Sequence, residues 1–166
     1  MKVAVVYKSK TGFTKKYAEY IAGILKGELL PFENRQEADP QNFDTLIFGG
    51  PVIAASVSGL GWFLKNRSRF PRTFAFACGA SPADSPDLHP FLEEHKKKGV
   101  DLFYMPGGLA WEKMNKVTHF VMRNIFLPSV KKEHGGDSGI YRTLSSSYDL
   151  SDFQYADHLI RAVRRV

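Results

Sequence analysis

The stretch "VVYKSKTGFTKKYAEYIA", residues 5–22, decides the fold. A β-branched run ends at Tyr7, a loop with hydroxyls and a glycine follows, and a helical pattern begins at once. A strand that enters a helix through such a loop presents free backbone N–H groups and the positive end of the helix dipole at one point. The stretch therefore predicts an anion-binding loop at the start of a helix.

The rest of the chain repeats the alternation of short apolar runs with helical patterns. Strands are predicted at 2–7, 28–32, 44–50, 73–79 and 100–108, and helices at 14–26, at 57–66, from Asp87 to before Gly99, and from about Ser151 onwards. Runs that are apolar on both faces are typical of buried parallel strands. We therefore expect an α/β fold: a three-layer α/β/α sandwich with a five-stranded parallel sheet, in one domain over residues 1–166.

Residues 107–148, between the fifth strand and the last helix, form an insert that is longer than a crossover needs. A helix predicted at 112–127 has an apolar stripe edged with basic residues. Such a face can lie on a membrane or cover an apolar substrate, or it can simply pack on the sheet. The sequence leaves these alternatives open.

Composition excludes several classes of protein. The chain has 166 residues, a net charge of +6 and one cysteine, Cys78, so an internal disulfide is impossible. We find neither a signal-peptide pattern nor a membrane-spanning run in the sequence. We therefore expect a cytoplasmic protein, and peripheral contact at the inner membrane face stays an open alternative. The charge indicates an anionic partner or serves solubility alone. No nucleic-acid binding is expected, because the basic residues lack interleaved aromatics. Nothing indicates the oligomeric state.

The loop after the first strand matches neither G-x-x-x-x-G-K-[ST] nor G-x-G-x-x-G. It offers hydroxyls at Ser9, Thr11 and Thr14, while Gly12 permits close approach to the backbone. Several hydroxyl and N–H donors suit one terminal phosphate monoester without a metal. The alternative is that the hydroxyls only cap the first helix. The histidines show no metal spacing, so no metal site is expected, and no set of catalytic side chains can be assigned.

The pattern "Y-x-S-x-T-G-x-T" after a first strand resembles the phosphate loop of the flavodoxin family, which binds flavin mononucleotide (FMN). The Gly-Gly-Pro sequence after the third strand agrees with it. The most similar subgroup is the menaquinone-dependent protoporphyrinogen dehydrogenases and related flavodoxin-domain proteins, which share a basic residue at Lys10, the insert, and a stretch like Gly135-Gly136-Asp137. The resemblance implies that the FMN phosphate is held by Ser9, Lys10, Thr11, Gly12, Phe13 and Thr14.

The same resemblance implies that the isoalloxazine ring lies between the loops after the third and fourth strands. These loops contribute Pro51, Val52, Ile53 and Ala54 on one side and Cys78, Gly79 and Ala80 on the other. Neither loop has a Trp or Tyr to stack on the ring. Trp111 is a candidate cover, with a packing role as the alternative. Cys78, at the end of a buried strand, is expected to be an inert thiol.

The function implied by the resemblance is that of an FMN-dependent oxidoreductase or electron transfer protein. It would exchange electrons between a donor and an acceptor such as a quinone, and protoporphyrinogen oxidation is the reaction of the most similar subgroup. Two alternatives stay open: a carrier flavodoxin, and a flavodoxin-like binding module without flavin. Carrier flavodoxins are usually acidic, so the net charge of +6 disfavours the carrier.

Overall fold

The computed structural model describes residues 1–165 of the chain. Within them the strands are β1 Val3–Tyr7, β2 Glu28–Pro31, β3 Thr45–Ile53, β4 Ser56–Val57, β5 Arg72–Gly79, β6 Leu102–Pro106, β7 Gly108–Leu109 and β8 Tyr148–Asp149. Five of them form a parallel sheet in the order β2-β1-β3-β5-β6. The predicted five-stranded parallel sheet is confirmed. The chain order reverses beside β1, where a doubly wound sheet binds ligands beyond its carboxyl edge.

Helices cover both faces of the sheet. The α-helices of residues 1–165 are α1 Phe13–Leu25, α2 Leu60–Asn66, α3 Leu88–Lys97, α4 Lys116–Val121, α5 Leu127–His134, α6 Gly139–Leu144 and α7 Asp157–Arg164, of which α4 to α6 belong to the insert. The helices α1 and α7 share one apolar core with β1, β3, β5 and β6. The helices α2 and α3 pack with the opposite face of the sheet. The three-layer arrangement is therefore confirmed.

The third strand is longer than predicted. Gly49 and Gly50 lie inside β3, which runs on to Ile53 and turns back into β4. A side chain at residue 49 would overlap the Phe76 ring, so glycine is required there for packing rather than for a loop. Ala54 and Ala55 form the turn with φ of 48° and 59°, the left-handed pair that fits a two-residue hairpin. Because β4 occupies residue 57, the next helix begins at Leu60.

The helix of the insert begins and ends later than predicted. Trp111–Lys113 is a separate 3₁₀ turn, and Asn115 caps α4 by accepting a hydrogen bond from the Thr118 N–H at 2.8 Å. A π-helical segment, Met122–Phe126, joins α4 to α5, so one helix runs over residues 116–134. We call this the insert helix.

The last helix also begins later than predicted. Asp152, not Ser151, provides the cap, and a 3₁₀ turn over Phe153–Ala156 precedes α7. The Ser151 hydroxyl is unavailable as a cap because it binds Asp149 and accepts a hydrogen bond from Lys16 at 2.7 Å. This segment therefore ties the end of the insert to α1.

Candidate functional site

The loop between β1 and α1 has the backbone of an anion site. Gly12 has φ of +100°, and its N–H donates to Ser9 Oγ at 3.1 Å. The first helical hydrogen bond of α1 runs from the Lys16 N–H to the Gly12 carbonyl at 3.0 Å. No side chain of residues 1–165 caps this turn. The N–H groups of Phe13, Thr14 and Lys15 are thus free to bind an anion, aided by the dipole of a 13-residue helix.

The hydroxyls of the loop differ in exposure. Ser9 and Thr11 are half-buried, and Thr14 is only 2% exposed. Burial raises the pKa of the Cys78 thiol, and the nearby Thr14 hydroxyl offsets part of that rise. Thr14 can therefore offer an anion its backbone N–H, while Ser9 and Thr11 also have hydroxyls near the surface. The phosphate roles of all three side chains stay predictions.

Lysines surround this loop, and most have partners. Lys8 Nζ lies 5.0 Å from the centre of the Phe32 ring. Lys15 pairs with Glu19 at 3.6 Å and Lys16 with Asp149 at 3.4 Å. Lys10 is exposed and takes part in none of the ion pairs found in residues 1–165.

A lysine from the insert also reaches the loop. A Cβ built on Gly12 would lie 3.9 Å from Lys113 Nζ. The sequence placed Lys113 on the polar side of a helix, but the structure puts it in the 3₁₀ turn that precedes the insert helix. Nothing in its sequence context indicated a contact with a loop one hundred residues away along the chain.

The two predicted ring-binding segments follow β3 and β5, which are neighbours in the sheet. Pro51 is paired with Cys78, and Tyr7, at the end of β1, is paired with Gly49. The carboxyl ends of these three strands therefore lie side by side. Pro51, Val52 and Ala80 are half-buried, Ile53 and Ala54 are exposed, and Gly79 is buried. The structure brings both segments to the same edge as the phosphate loop.

Cys78 is packed at this edge without being open to solvent. It is 5% exposed, and burial raises the pKa of its thiol to about 12. A Cβ on Gly107 would lie 2.8 Å from Cys78 Sγ and 3.0 Å from Phe13 Cβ. Gly107 thus lets the ends of β5 and β6 and the start of α1 approach closely. The thiol stays protonated near neutral pH, so it is not an activated nucleophile.

Two tyrosines missed by sequence reasoning hold the loop after β5. The Tyr148 hydroxyl donates to the Ala80 carbonyl at 2.9 Å, and the Tyr104 hydroxyl donates to the Ser81 carbonyl at 2.7 Å. Burial raises the pKa of both hydroxyls, which remain neutral. Tyr148 reaches the loop because β8 pairs with β7 at the far end of the insert. That pairing of two-residue strands had no recognisable pattern in the sequence.

Trp111 lies inside the insert. Its Nε1 donates to the Leu144 carbonyl at 3.1 Å, and its ring meets His119 edge-on with centroids 5.3 Å apart. An open groove of about 500 Å³ is lined by Trp111, Glu112, Met114, Lys116, His119, Phe120, Arg123 and Asn124. The indole N–H of Trp111 is therefore bound within the insert. The role of Trp111 as a cover for the flavin ring stays a prediction.

The apolar stripe of the insert helix is exposed rather than packed on the sheet. Val117 is 74% exposed, Phe120 62% and Ile125 58%. No helix of residues 1–165 is both long and apolar enough to cross a bilayer. In the same part of the chain, no three His, Cys, Asp or Glu side chains gather as metal ligands.

The strand order defines a doubly wound α/β protein, and the uncapped start of α1 lies at its switch point. A family model for the flavodoxin domain matches residues 4–135. The chain belongs to the flavodoxin domain family. The match ends inside the insert, so it does not cover α6, β8 or α7.

Several solved structures are similar to the chain at low identity. A flavodoxin, WrbA-like protein from Agrobacterium tumefaciens is 18% identical, with a TM-score of 0.46, over 80% of this chain and 98% of that one. A flavoprotein in complex with FMN from Lactobacillus acidophilus NCFM is 17% identical, with a TM-score of 0.46, over 63% and 91%. The Trp repressor binding protein from Bacillus subtilis is 21% identical, with a TM-score of 0.45, over 64% and 83%.

No curated protein matches the chain. The family assignment rests on the match over residues 4–135, and the fold rests on the sheet order described above.

Proposed function

We propose that this chain is an FMN-dependent oxidoreductase whose phosphate loop is residues 9–14. The observation that carries the proposal is the uncapped start of α1 after Gly12, with Lys113 Nζ beside it and the exposed Lys10 in the same loop. Free N–H groups, half-buried hydroxyls and two ammonium groups form a donor set that fits a dianionic phosphate monoester. A member of the flavodoxin domain family with this loop has the parts needed for FMN.

The proposed ring site lies between the β3–β4 hairpin and the loop after β5. Pro51 to Ala54 offer one wall and Gly79 and Ala80 the other, and Tyr148 fixes the second wall through the Ala80 carbonyl. When bound, FMN supplies electron and hydride transfer, while the chain supplies position and electrostatics. Cys78 takes no redox part in this proposal, because its thiol is buried and protonated.

For the acceptor we propose a quinone, and for the substrate class a large flat apolar molecule such as a porphyrinogen. The groove in the insert supports this choice. It combines the aromatic rings of Trp111, His119 and Phe120 with the cations Lys116 and Arg123, and it belongs to the same segment as Lys113 at the phosphate loop. Specifically, we propose that the chain catalyses a reaction like that of the protoporphyrinogen dehydrogenases.

We further propose that the insert helix docks on an anionic membrane surface, so that the protein is a cytoplasmic one with peripheral membrane contact. Its exposed apolar residues share the helix with Lys116, Arg123, Lys131 and Lys132. Apolar side chains edged by cations are the pattern of helices that lie at a lipid interface. A quinone acceptor, which is lipid-soluble, would be met at the same surface.

The two alternatives predict different behaviour. A carrier flavodoxin would react fastest with a redox protein. A module without flavin would show no flavin absorbance and no response to added FMN. Two observations are compatible with a module without flavin. The ring-binding segments lack a stacking Trp, and the Trp111 indole N–H is bound within the insert.

The deciding experiment is a titration of the purified protein with FMN, followed by flavin absorbance and by quenching of flavin fluorescence. Quenching that saturates at one FMN per chain would support the proposal. Riboflavin, which lacks the phosphate, should bind much more weakly because the loop then has no anion to hold. No saturable binding of FMN would refute the proposal and favour a module without flavin.

A further inference from the structure

The insert supplies a cation to the phosphate loop from outside the loop itself. Lys113 Nζ lies above Gly12, 3.9 Å from the position that a Cβ would take there. Gly12 immediately precedes the free N–H groups of α1, and its φ of +100° turns the chain into the helix. The ammonium group and the helix start therefore converge on the same space.

Apart from Lys10, which is exposed, the other lysines near the loop are engaged. Lys8 lies over Phe32, Lys15 pairs with Glu19, and Lys16 pairs with Asp149. The Lys113 ammonium group takes part in none of the ion pairs or side-chain hydrogen bonds found among residues 1–165, although the Lys113 backbone N–H donates to the Ala110 carbonyl at 3.0 Å.

Its neighbour Glu112 does not neutralise it by contact. The Glu112 carboxylate accepts a hydrogen bond from Ser147 at 2.7 Å. A second anchor fixes the same turn, since the Trp111 N–H donates to Ser147 Oγ at 3.0 Å. The turn over Trp111–Lys113 is thus held to the end of the insert, while Lys113 points to the loop. This arrangement gives the ammonium group a defined position without giving it a carboxylate partner.

We infer that Lys113 is a phosphate ligand contributed by the insert, and that it makes the site selective for phosphorylated flavin over free flavin. The inference rests on the proposed function, since FMN is the phosphate monoester concerned. A lysine that contacts only the phosphate adds affinity for FMN and none for riboflavin. The insert then forms part of the cofactor site as well as an outer surface.

The test compares dissociation constants for FMN and riboflavin in wild type, Lys113→Met and Lys113→Arg. Lys113→Met is expected to weaken FMN binding roughly 10-fold, the loss of one charge-assisted hydrogen bond, and to leave riboflavin binding unchanged. Lys113→Arg should restore most of the FMN affinity. Lys97→Met is the matched control, because Lys97 is exposed at the end of α3, outside the phosphate loop, the ring-binding segments and the insert. It should bind both flavins as wild type does.

The outcomes separate this inference from the function on which it rests. If wild type binds FMN and Lys113→Met binds it equally well, Lys113 is not a ligand and the proposed function stands. If Lys113→Met loses FMN and riboflavin in equal proportion, its role is structural and the inference is wrong. Raised salt should weaken FMN binding more in wild type than in Lys113→Met, because one charge contact is screened only where it exists. If wild type binds no FMN, both proposals fall together.

Discussion

At the scale of single residues, Thr11 is the hydroxyl best placed to test the phosphate loop. It is half-buried beside Gly12, whereas the Thr14 hydroxyl lies against the Cys78 thiol. Thr11→Ala should weaken FMN binding by about 1–3 kcal/mol, because a charged acceptor loses one donor. Fluorescence titration measures the change, and Thr143→Ala, at an exposed position in α6, is the control.

Riboflavin provides the internal check on Thr11. Its affinity should be the same for wild type and Thr11→Ala, since the phosphate is absent. Unchanged FMN affinity in Thr11→Ala would show that backbone N–H groups hold the anion without this hydroxyl.

The residues of the loop could be identified from sequence because the pattern is local. Ser9, Thr11, Gly12 and Phe13 lie within a few positions of one another, so a strand-loop-helix pattern suffices to bring them together. Lys113 could not be found in this way. Its contact with Gly12 depends on the course of the insert between residues 107 and 113, which no local periodicity determines.

At the scale of elements, Tyr17 joins three parts of the chain. Its hydroxyl donates to the Pro106 carbonyl at 2.6 Å, and it accepts from the Asp152 N–H at 3.0 Å. It therefore links α1 to the end of β6 and to the cap before α7. Tyr17 is fully buried, and burial raises the pKa of its hydroxyl well above the usual value, so the hydroxyl remains a donor at high pH.

Tyr17→Phe should lower the free energy of unfolding by about 1–3 kcal/mol, because a buried carbonyl and a part-buried N–H lose their partner. Urea denaturation followed by circular dichroism measures this change. Tyr20→Phe is the control: the Tyr20 ring stacks on Phe153 at 4.3 Å, and the substitution keeps that ring. It should change the free energy by less than about 0.5 kcal/mol. Equal midpoints for both variants would contradict the linking role of the hydroxyl.

The insert helix gives a second prediction at this scale, that the protein binds anionic membranes. Wild type should co-sediment with vesicles that contain phosphatidylserine at low salt, and less so with phosphatidylcholine alone. Lys116→Glu with Arg123→Glu should weaken this binding, since each basic residue near the surface contributes about 1 kcal/mol. Phe120→Ser should weaken it as well, because the exposed ring would no longer enter the lipid interface.

The control for charge is Lys65→Glu with Lys96→Glu. These exposed lysines lie on α2 and α3, and the double variant has the same net charge as the insert variant. Equal loss in both double variants would mean that total charge matters and that the insert helix is not the docking surface. No retention of wild type at low salt would refute membrane docking altogether.

Some elements could be predicted from the sequence and others could not, for physical reasons. Buried parallel strands are continuous apolar runs, so β1, β3, β5 and β6 were recognisable, although their ends were not. The third strand was predicted to end at Gly49 and Gly50, but β3 continues to Ile53, and the Phe76 ring leaves no room for a side chain at residue 49. The insert helix was predicted too early, because a 3₁₀ turn and a capping Asn115 separate it from Trp111.

At the scale of the whole molecule, charge and topology act together. The sheet order sets the proposed flavin site at the carboxyl edge of the parallel strands, and the insert extends from the same edge through Gly107 and Gly108. The net charge of +6 acts on any partner that approaches this edge. Its sign repels basic redox proteins and attracts anionic surfaces.

The reduced, FMN-loaded protein is therefore expected to be reoxidised faster by a water-soluble menaquinone analogue than by cytochrome c, which is basic. The quinone is neutral and apolar, so it is not repelled and can enter the aromatic groove of the insert. Stopped-flow absorbance measures both rates. Added salt should speed the cytochrome reaction, because screening removes the repulsion between the two basic proteins. It should leave the quinone rate nearly unchanged, because the quinone is neutral. A carrier flavodoxin would give the reverse order, with the cytochrome faster at low salt. That result would overturn the quinone proposal while leaving FMN binding intact, because no residue of the phosphate loop lines the insert groove.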